Sequence, residues 1–196
     1  MPRTSEQYEE IRNAKKKTIL DVAMKMFAEK GYEATSTNHI IKEAGISKGL
    51  LYNYFESKEE ILKTIVLNIS NEMDEMLAPS HDNAMSREDA LECFDKFFDM
   101  LMTHTEVAKL FTQLVYQPEV IKILSDNSIL PHKSKRGEMI HLYLSEIHKE
   151  NLQMVLLNFA AIFNGISLLY AFSPEEFPDE MMLQYRDYLK NMFISA

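Results

Sequence analysis

The chain has 196 residues, room for one domain or two small ones, and its 46% apolar and 26% charged residues can build a packed core and exclude a disordered chain. Five glycines and six prolines are too few for a collagen, a linker protein or a turn-rich β-sandwich, and a single cysteine, Cys93, excludes a disulfide scaffold or a cysteine-based zinc finger. The net charge of −9 argues against a protein coated in nucleic acid, but the sum hides an asymmetry. Residues 1–55 hold nine Lys/Arg against seven Asp/Glu, and within 11–55 the ratio is eight to four; residues 56–196 hold twelve against twenty-three. A basic head on an acidic body confines phosphate contact to the head. The opening MPRTSEQYEEIR lacks an apolar run, so no secretory signal is expected, and the lone thiol fits a reducing, cytoplasmic setting.

Helical periodicity runs through the chain, and no stretch alternates as a strand would. Ile19, Val22, Ala23, Met26 and Phe27 form one face of a first helix that Gly31 ends. Thr35, Ser36 and Thr37 are candidate N-caps for a short helix carrying Ile40, Ile41 and Ala44, closed by Gly45. Ser47 caps a third helix with Leu50, Leu51, Tyr54 and Phe55. Ser57 and Glu60 make a capping box for a long helix whose apolar face runs Ile61, Ile65, Ile69, Met73 and Met76 before Pro79. Ser86 with Asp89 opens another through Phe94, Phe98 and Met102; a stretch near 106–116 stops before Pro118, and 120–124 is short. Residues 125–137 read as loop. A helix over 138–149 leads, through a kink, into 151–172, and beyond Pro174 and Pro178 a last amphipathic helix runs to about Phe193.

Residues 151–174 carry no charge, and from Leu152 to Phe172 there are 16 apolar residues in 21, near the length of a membrane span. Gln153, Asn158, Asn164, Gly165 and Ser167 interrupt it, however, and Glu150, Glu175 and Glu176 bracket it in place of basic flanks. No membrane partner is expected; the segment reads as a helix buried all round, in a core or a subunit interface.

The three helices of the head carry the chemistry. Only four residues, Ala44 to Ser47, separate the apolar faces of the second and third, which is the layout of a helix-turn-helix with Gly45 reversing the chain. In that motif the third helix lies in the major groove and the second crosses the phosphate backbone. Ile46, Leu51 and Phe55 then face inward, and Lys48, Gly49, Tyr52 and Asn53 share the outer face. Those types suit DNA: a lysine for phosphate or a guanine edge, a glycine for close approach, a tyrosine hydroxyl, and an amide that matches adenine. Lys15, Lys16 and Lys17 add a basic start to the first helix.

Residues 19–62, and within them FAEKGYEATS, AGISKG and LYNYFESKEEIL, resemble the N-terminal DNA-binding domain of the TetR family of bacterial transcription regulators. The resemblance implies an all-α protein. A three-helix helix-turn-helix DNA-binding domain would occupy residues 1–56, and a helical ligand-binding and dimerisation domain residues 57–196. It further implies a homodimer on a palindromic double-stranded DNA operator, usually as a repressor, released by a small-molecule effector. Carried over by position, the implied DNA contacts are Ser36, Thr37, Asn38, Ser47, Lys48, Gly49, Leu50, Tyr52, Asn53, Tyr54 and Lys58, the last as a phosphate-binding lysine. Two positions depart from the family pattern. Leu50 stands where Thr, Ser or Ala is common, and Asn38 where Arg is frequent.

The body is rich in Met and aromatic residues, which suits a small apolar or aromatic effector. The candidate pocket residues are Ile69, Met73, Phe97, Leu101, His104, Phe111, Tyr116, Phe159 and Phe163, with Asn158 and Asn164 as further polar groups. The segments 152–172 and 179–193 are the expected dimer interface, a four-helix bundle across a two-fold axis. A helical enzyme, a protein-binding adaptor without DNA, and a regulator lacking an effector stand as the alternatives. HExxH, GxSxG and a complete phosphate-binding glycine loop are all missing, and AGISKG lacks the first glycine of such a loop. The histidines at 39, 81, 104, 132, 141 and 148 form no i, i+4 pair, so neither metal nor cofactor is expected.

Overall fold

A computed structural model of the protein describes residues 5–77, 85–127 and 135–194; Pro79, His81 and His132 lie outside them. The described residues form α1 (Ser5–Lys30), α2 (Thr37–Glu43), α3 (Lys48–Tyr52), α4 (Lys58–Met76), α5 (Arg87–Thr103), α6 (Thr105–Val115), α7 (Pro118–Asp126), α8 (Lys135–Ile147), α9 (Leu152–Phe172) and α10 (Asp179–Ile194), with a short 3-10 turn at Pro174–Glu176 and no strand among them. They pack as two compact units, one within residues 1–69 and 113–129, the other within 70–112 and 130–196.

In the first unit the sequence signals act where they stand. Gly31 takes φ +92° and returns its N–H to Phe27 O at 3.1 Å, ending α1. Thr35 is wholly buried, and its hydroxyl donates back to Gly31 O at 2.9 Å with Met26 O at 3.2 Å. Ser36 caps α2 and His39 completes the box: His39 N–H donates to Ser36 Oγ at 3.2 Å, and His39 Nδ1 accepts from Ser36 N–H at 3.3 Å. Gly45, at φ +62°, turns the chain toward α3, where Ser47 Oγ accepts from Leu50 N–H at 3.2 Å. Ile19, Ala23, Phe27, Ile40, Leu51 and Phe55 are buried in this unit. Ser57 Oγ accepts the N–H of Glu60 at 3.0 Å, but the Glu60 carboxylate reaches Glu56 N–H, one residue before the cap, at 2.5 Å.

The packing boundary differs from a division at residue 56. Along α4, Ile61, Leu62, Ile65 and Val66 are buried, all inside the first unit, while Ile69 and Met73 are half-buried and Met76 is exposed. Residues 113–129 join the head through Gln117. Its Nε2 donates to Phe27 O at 2.7 Å and to Gln113 O at 3.1 Å, and its Oε1 accepts from Tyr32 N–H at 2.7 Å.

The second unit is built on α5. Ser86 and Asp89 exchange both bonds of a capping box at 3.0 Å. Phe94, Phe98 and Leu101 of α5 share one core with Leu144 of α8, Ile166 of α9, and Met182, Leu189 and Phe193 of α10. Asp95 fixes α10 along α5 by accepting from Lys190 Nζ at 2.5 Å and Arg186 at 3.0 Å. Two expectations are corrected here. Residues 125–137 are not all loop: α7 reaches Asp126 and α8 starts at Lys135. The helix over 138–149 does not kink into the next; it stops at Ile147, and α9 starts afresh at Leu152. His148, in the break, bonds the carbonyl of Phe193 at 3.0 Å through a ring nitrogen. Within the single chain, α9 is buried along one stripe only. It buries Ile166, Tyr170 and Ala171 but exposes Met154 and Leu157 at 62% each, together with Leu168, Leu169 and Phe172. A core shared by several helices needs one stripe of α9, and its 21 uncharged residues cover the whole circumference.

Replacing Gln117 by Leu should leave Tyr32 N–H and Phe27 O without this partner. Urea unfolding should show a loss of about 1–3 kcal/mol with an unchanged m-value.

Candidate functional site

The helix-turn-helix presents two different sides. Leu51 and Phe55 point into the core at 0% and 2% exposure, with Ile46 half-buried beside them. Ser47, Lys48, Gly49, Tyr52 and Asn53 are exposed, as are Ser36 and Asn38 on the start of the preceding helix. The hydroxyls of Thr37 and Tyr52 lie 3.5 Å apart, which joins the first turn of α2 to the end of α3. The Lys48 ammonium lies 6.0 Å from the centroid of the Tyr52 ring. A Cβ added at Gly49 would meet nothing within 4 Å, so internal packing does not demand a glycine there. Leu50 and Tyr54 are half-buried, and the Arg12 guanidinium sits 5.9 Å from the Tyr54 ring.

Lys58 is not a free surface cation. Its Nζ donates to Tyr32 O at 2.9 Å and lies 4.1 Å from the Tyr32 ring centroid. Tyr32 therefore gives its carbonyl and ring to α4 and its N–H to Gln117, while the ring meets Phe27 edge-on at 5.1 Å. Burial pushes the Tyr32 phenol up to about 12, with the negative charges of Glu59 and Glu33 adding to the shift. Thr35, Tyr32 and Gln117 were not singled out from the sequence. Thr35 looked like one of three equivalent caps, and Gln117 lies far along the chain with no local pattern to mark it.

The second unit holds a cavity of about 380 Å³. Met73 and Leu77 line it, with Met85, Cys93, Phe94 and Phe97 from α5 and the residues before it. Further lining comes from Gly137, Ile140, His141, Tyr143 and Leu144 of α8, from Leu156, Phe159, Ala160 and Phe163 of α9, and from Ile194. Of the candidate pocket residues, Met73, Phe97, Phe159 and Phe163 are brought together here. The other five are elsewhere. Ile69 and Tyr116 belong to the first unit, Leu101 is sealed in the core, exposed His104 caps the end of α5, and Phe111 is half-buried on α6. Asn158 and Asn164 are both exposed, the latter bonding Ala160 O at 2.7 Å. Of the α8 lining only Gly137 fell in the stretch read as loop; Ile140, His141, Tyr143 and Leu144 lay in a segment read as helix, and the i, i+4 spacing of Ile140 and Leu144 was the signal available. Among the described residues no group of His, Cys, Asp or Glu could hold a metal ion.

The sequence profile of bacterial regulatory proteins of the tetR family matches residues 19–65. The negative transcriptional regulator IcaR of the biofilm operon icaADBC from Staphylococcus epidermidis is 35% identical over 107 residues, 54% of this chain and 56% of that protein. The chain carries a tetR-family DNA-binding domain over residues 19–65. It spans about half or less of the length of the curated relatives that match it first, 56%, 18% and 40%. The fold extends the TetR likeness beyond the head. A TetR-like regulator from Rhodococcus sp. superposes with a TM-score of 0.65 at 21% identity, covering 97% of this chain and 94% of that one. FadR of Bacillus subtilis, solved in complex with stearoyl-CoA, gives a TM-score of 0.64 at 18% identity, covering 91% and 97%.

The raised Tyr32 phenol has a pH consequence for this TetR-family head. The unfolded chain ionises this phenol near its ordinary 10.0, the folded chain near 12, so its contribution is complete below pH 10.0 and lost as pH rises toward 12. Urea midpoints followed across that window should fall less for Tyr32→Phe, which keeps the ring against Lys58, than for the natural protein.

Proposed function

We propose that the protein is a cytoplasmic, ligand-responsive transcriptional repressor that binds a palindromic operator as a homodimer. The observation that carries the DNA half is the two-sidedness of α3. Its inward residues seal the core, and its outward surface consists of Ser47, Lys48, Gly49, Tyr52 and Asn53, with room at Gly49 that the fold itself leaves unused. That surface suits the major groove, with Ser36, Thr37 and Asn38 toward the adjoining backbone. Leu50 and Tyr54 flank it, and Lys58 offers its remaining donors to a phosphate while held on Tyr32.

The homodimer reading rests on α9 and α10. Met154, Leu157, Leu168 and Phe172 on one helix and Met181, Tyr188 (59% exposed) and Met192 on the other recur at helical spacing and are too apolar for water. A two-fold bundle of these helices would bury them and present two recognition helices to half-sites centred roughly 34–36 Å apart or somewhat more.

For the effector, the cavity supplies a site, and α4 supplies a covalent route. Residues 58–69 of that helix belong to the first unit, and Met73 lines the cavity in the second. An effector that prefers one position of α4 would change operator affinity by a coupling of about 1–3 kcal/mol. The stearoyl-CoA held by the B. subtilis neighbour, on the same fold, supports an apolar effector. The repressor mode follows the family's usual practice and the negative role named for the Staphylococcus relative.

Duplexes selected from a random pool by the purified protein test the DNA claim. Tyr52→Ala and Lys48→Ala should weaken binding to the selected sequence without lowering the melting temperature. If Lys48 meets phosphate, the salt slope should fall by about one; if it reads guanine, about 1–3 kcal/mol of discrimination should vanish at one base pair. Unchanged binding in both variants would remove α3 from the groove. Leu157→Glu combined with Leu168→Glu should sediment as a monomer and lose operator affinity.

A further inference from the structure

We propose that the cavity of the second unit receives one unbranched acyl or alkyl chain, and that the chain's single polar head stops beside His141. This deepens the reading of that cavity as the effector site and rests on it. Among its described lining residues there is no Lys, Arg, Asp or Glu. Cys93 Sγ is engaged with Leu77 O at 3.0 Å, and burial raises the Tyr143 phenol, which keeps it neutral. A charge drawn inside would meet no counter-charge among these described residues, which favours an uncharged buried part of the ligand. The exposed lining residues are His141 and Ala160, which places the opening between α8 and α9. Of the described lining residues, His141 is the exposed one whose side chain can hydrogen-bond a head group that stays wet.

The wall chooses a chain over a flat ring. Phe163 stacks on Phe159 at 4.2 Å and meets Phe97 and Phe94 edge-to-face at 4.8 and 5.2 Å. These rings pack on one another, which favours a guest that does not need an open ring face. A methylene chain needs no such face, because it gains dispersion contact from edges and faces alike. Met73 and Met85 adapt to its bends. The volume of about 380 Å³ lies near the lower end for ligand sites, enough for one chain.

Binding to the full chain, without DNA, is to be followed by isothermal titration. The probes are saturated fatty acids of increasing length, tetradecanol, tetradecanoyl-CoA and pyrene. Affinity should rise about four-fold per added methylene, ~0.8 kcal/mol each, until the cavity is full. Pyrene should bind at least about ten-fold more weakly than the best acid. Cys93→Phe should move the best length to shorter chains and Phe97→Ala to longer ones, so the pair remains decisive if either fails to fold. His141→Leu should weaken tetradecanoic acid and tetradecanol alike, by about three- to ten-fold, because either head can hydrogen-bond the imidazole. A preference for the thioester or for the free acid identifies which source of the chain the site reads, and either upholds the proposal. Affinity independent of length, pyrene binding as tightly as the acids, or unchanged affinity for both acid and alcohol in His141→Leu would overturn it. Chain binding that leaves operator affinity untouched would instead overturn the effector reading, and loss of chain binding with operator binding intact would overturn only this one.

Discussion

Just past the carboxyl end of α1, separate parts of the chain meet on a single residue, Tyr32. The amide of Tyr32 goes to Gln117, its carbonyl takes Lys58, and its ring lies between Phe27 and the Lys58 ammonium. The carbonyls that a helix end leaves open are filled here by Gly31, Thr35 and Gln117. That satisfaction is what allows a helix to end inside a packed unit, and it sets where α2 and α3 begin. The outward face of α3 is therefore placed by bonds formed some distance from any residue on that face.

Much of the head was legible because its information is local. Glycines at positive φ, serine caps and the apolar spacing of Leu51 and Phe55 act over a few residues, and each operates as the sequence indicates. Lys58 shows the limit of such reading. The motif marks it as a cation near the recognition helix, but only the fold reveals that Tyr32 holds it. Gln117 is a stronger case: its partners are 85 and 90 residues away, and no periodic pattern announces a bond of that separation.

The body was legible in kind and not in detail. Its aromatic and methionine content pointed to an apolar interior, and Phe97, Phe159 and Phe163 do meet there. Which aromatic faces a cavity and which is sealed in the core depends on helix rotation by a fraction of a turn, and Leu101 and Phe97, four residues apart, fall on opposite sides of that choice. The errors over α8 and the break before α9 have the same origin. A polar run at the start of a helix resembles a loop until its packing is seen, and an uncharged helix conceals which stripe is inside.

The same uncharged helix has a cost for a newly made chain. A chain that leaves the ribosome with Met154, Leu157 and Phe172 bare offers chaperones and proteases an oily handle until something covers it. Its survival time then depends on how often it collides with a suitable surface, by mass action. If a second copy is the covering surface, as proposed, scarce copies would be cleared fastest.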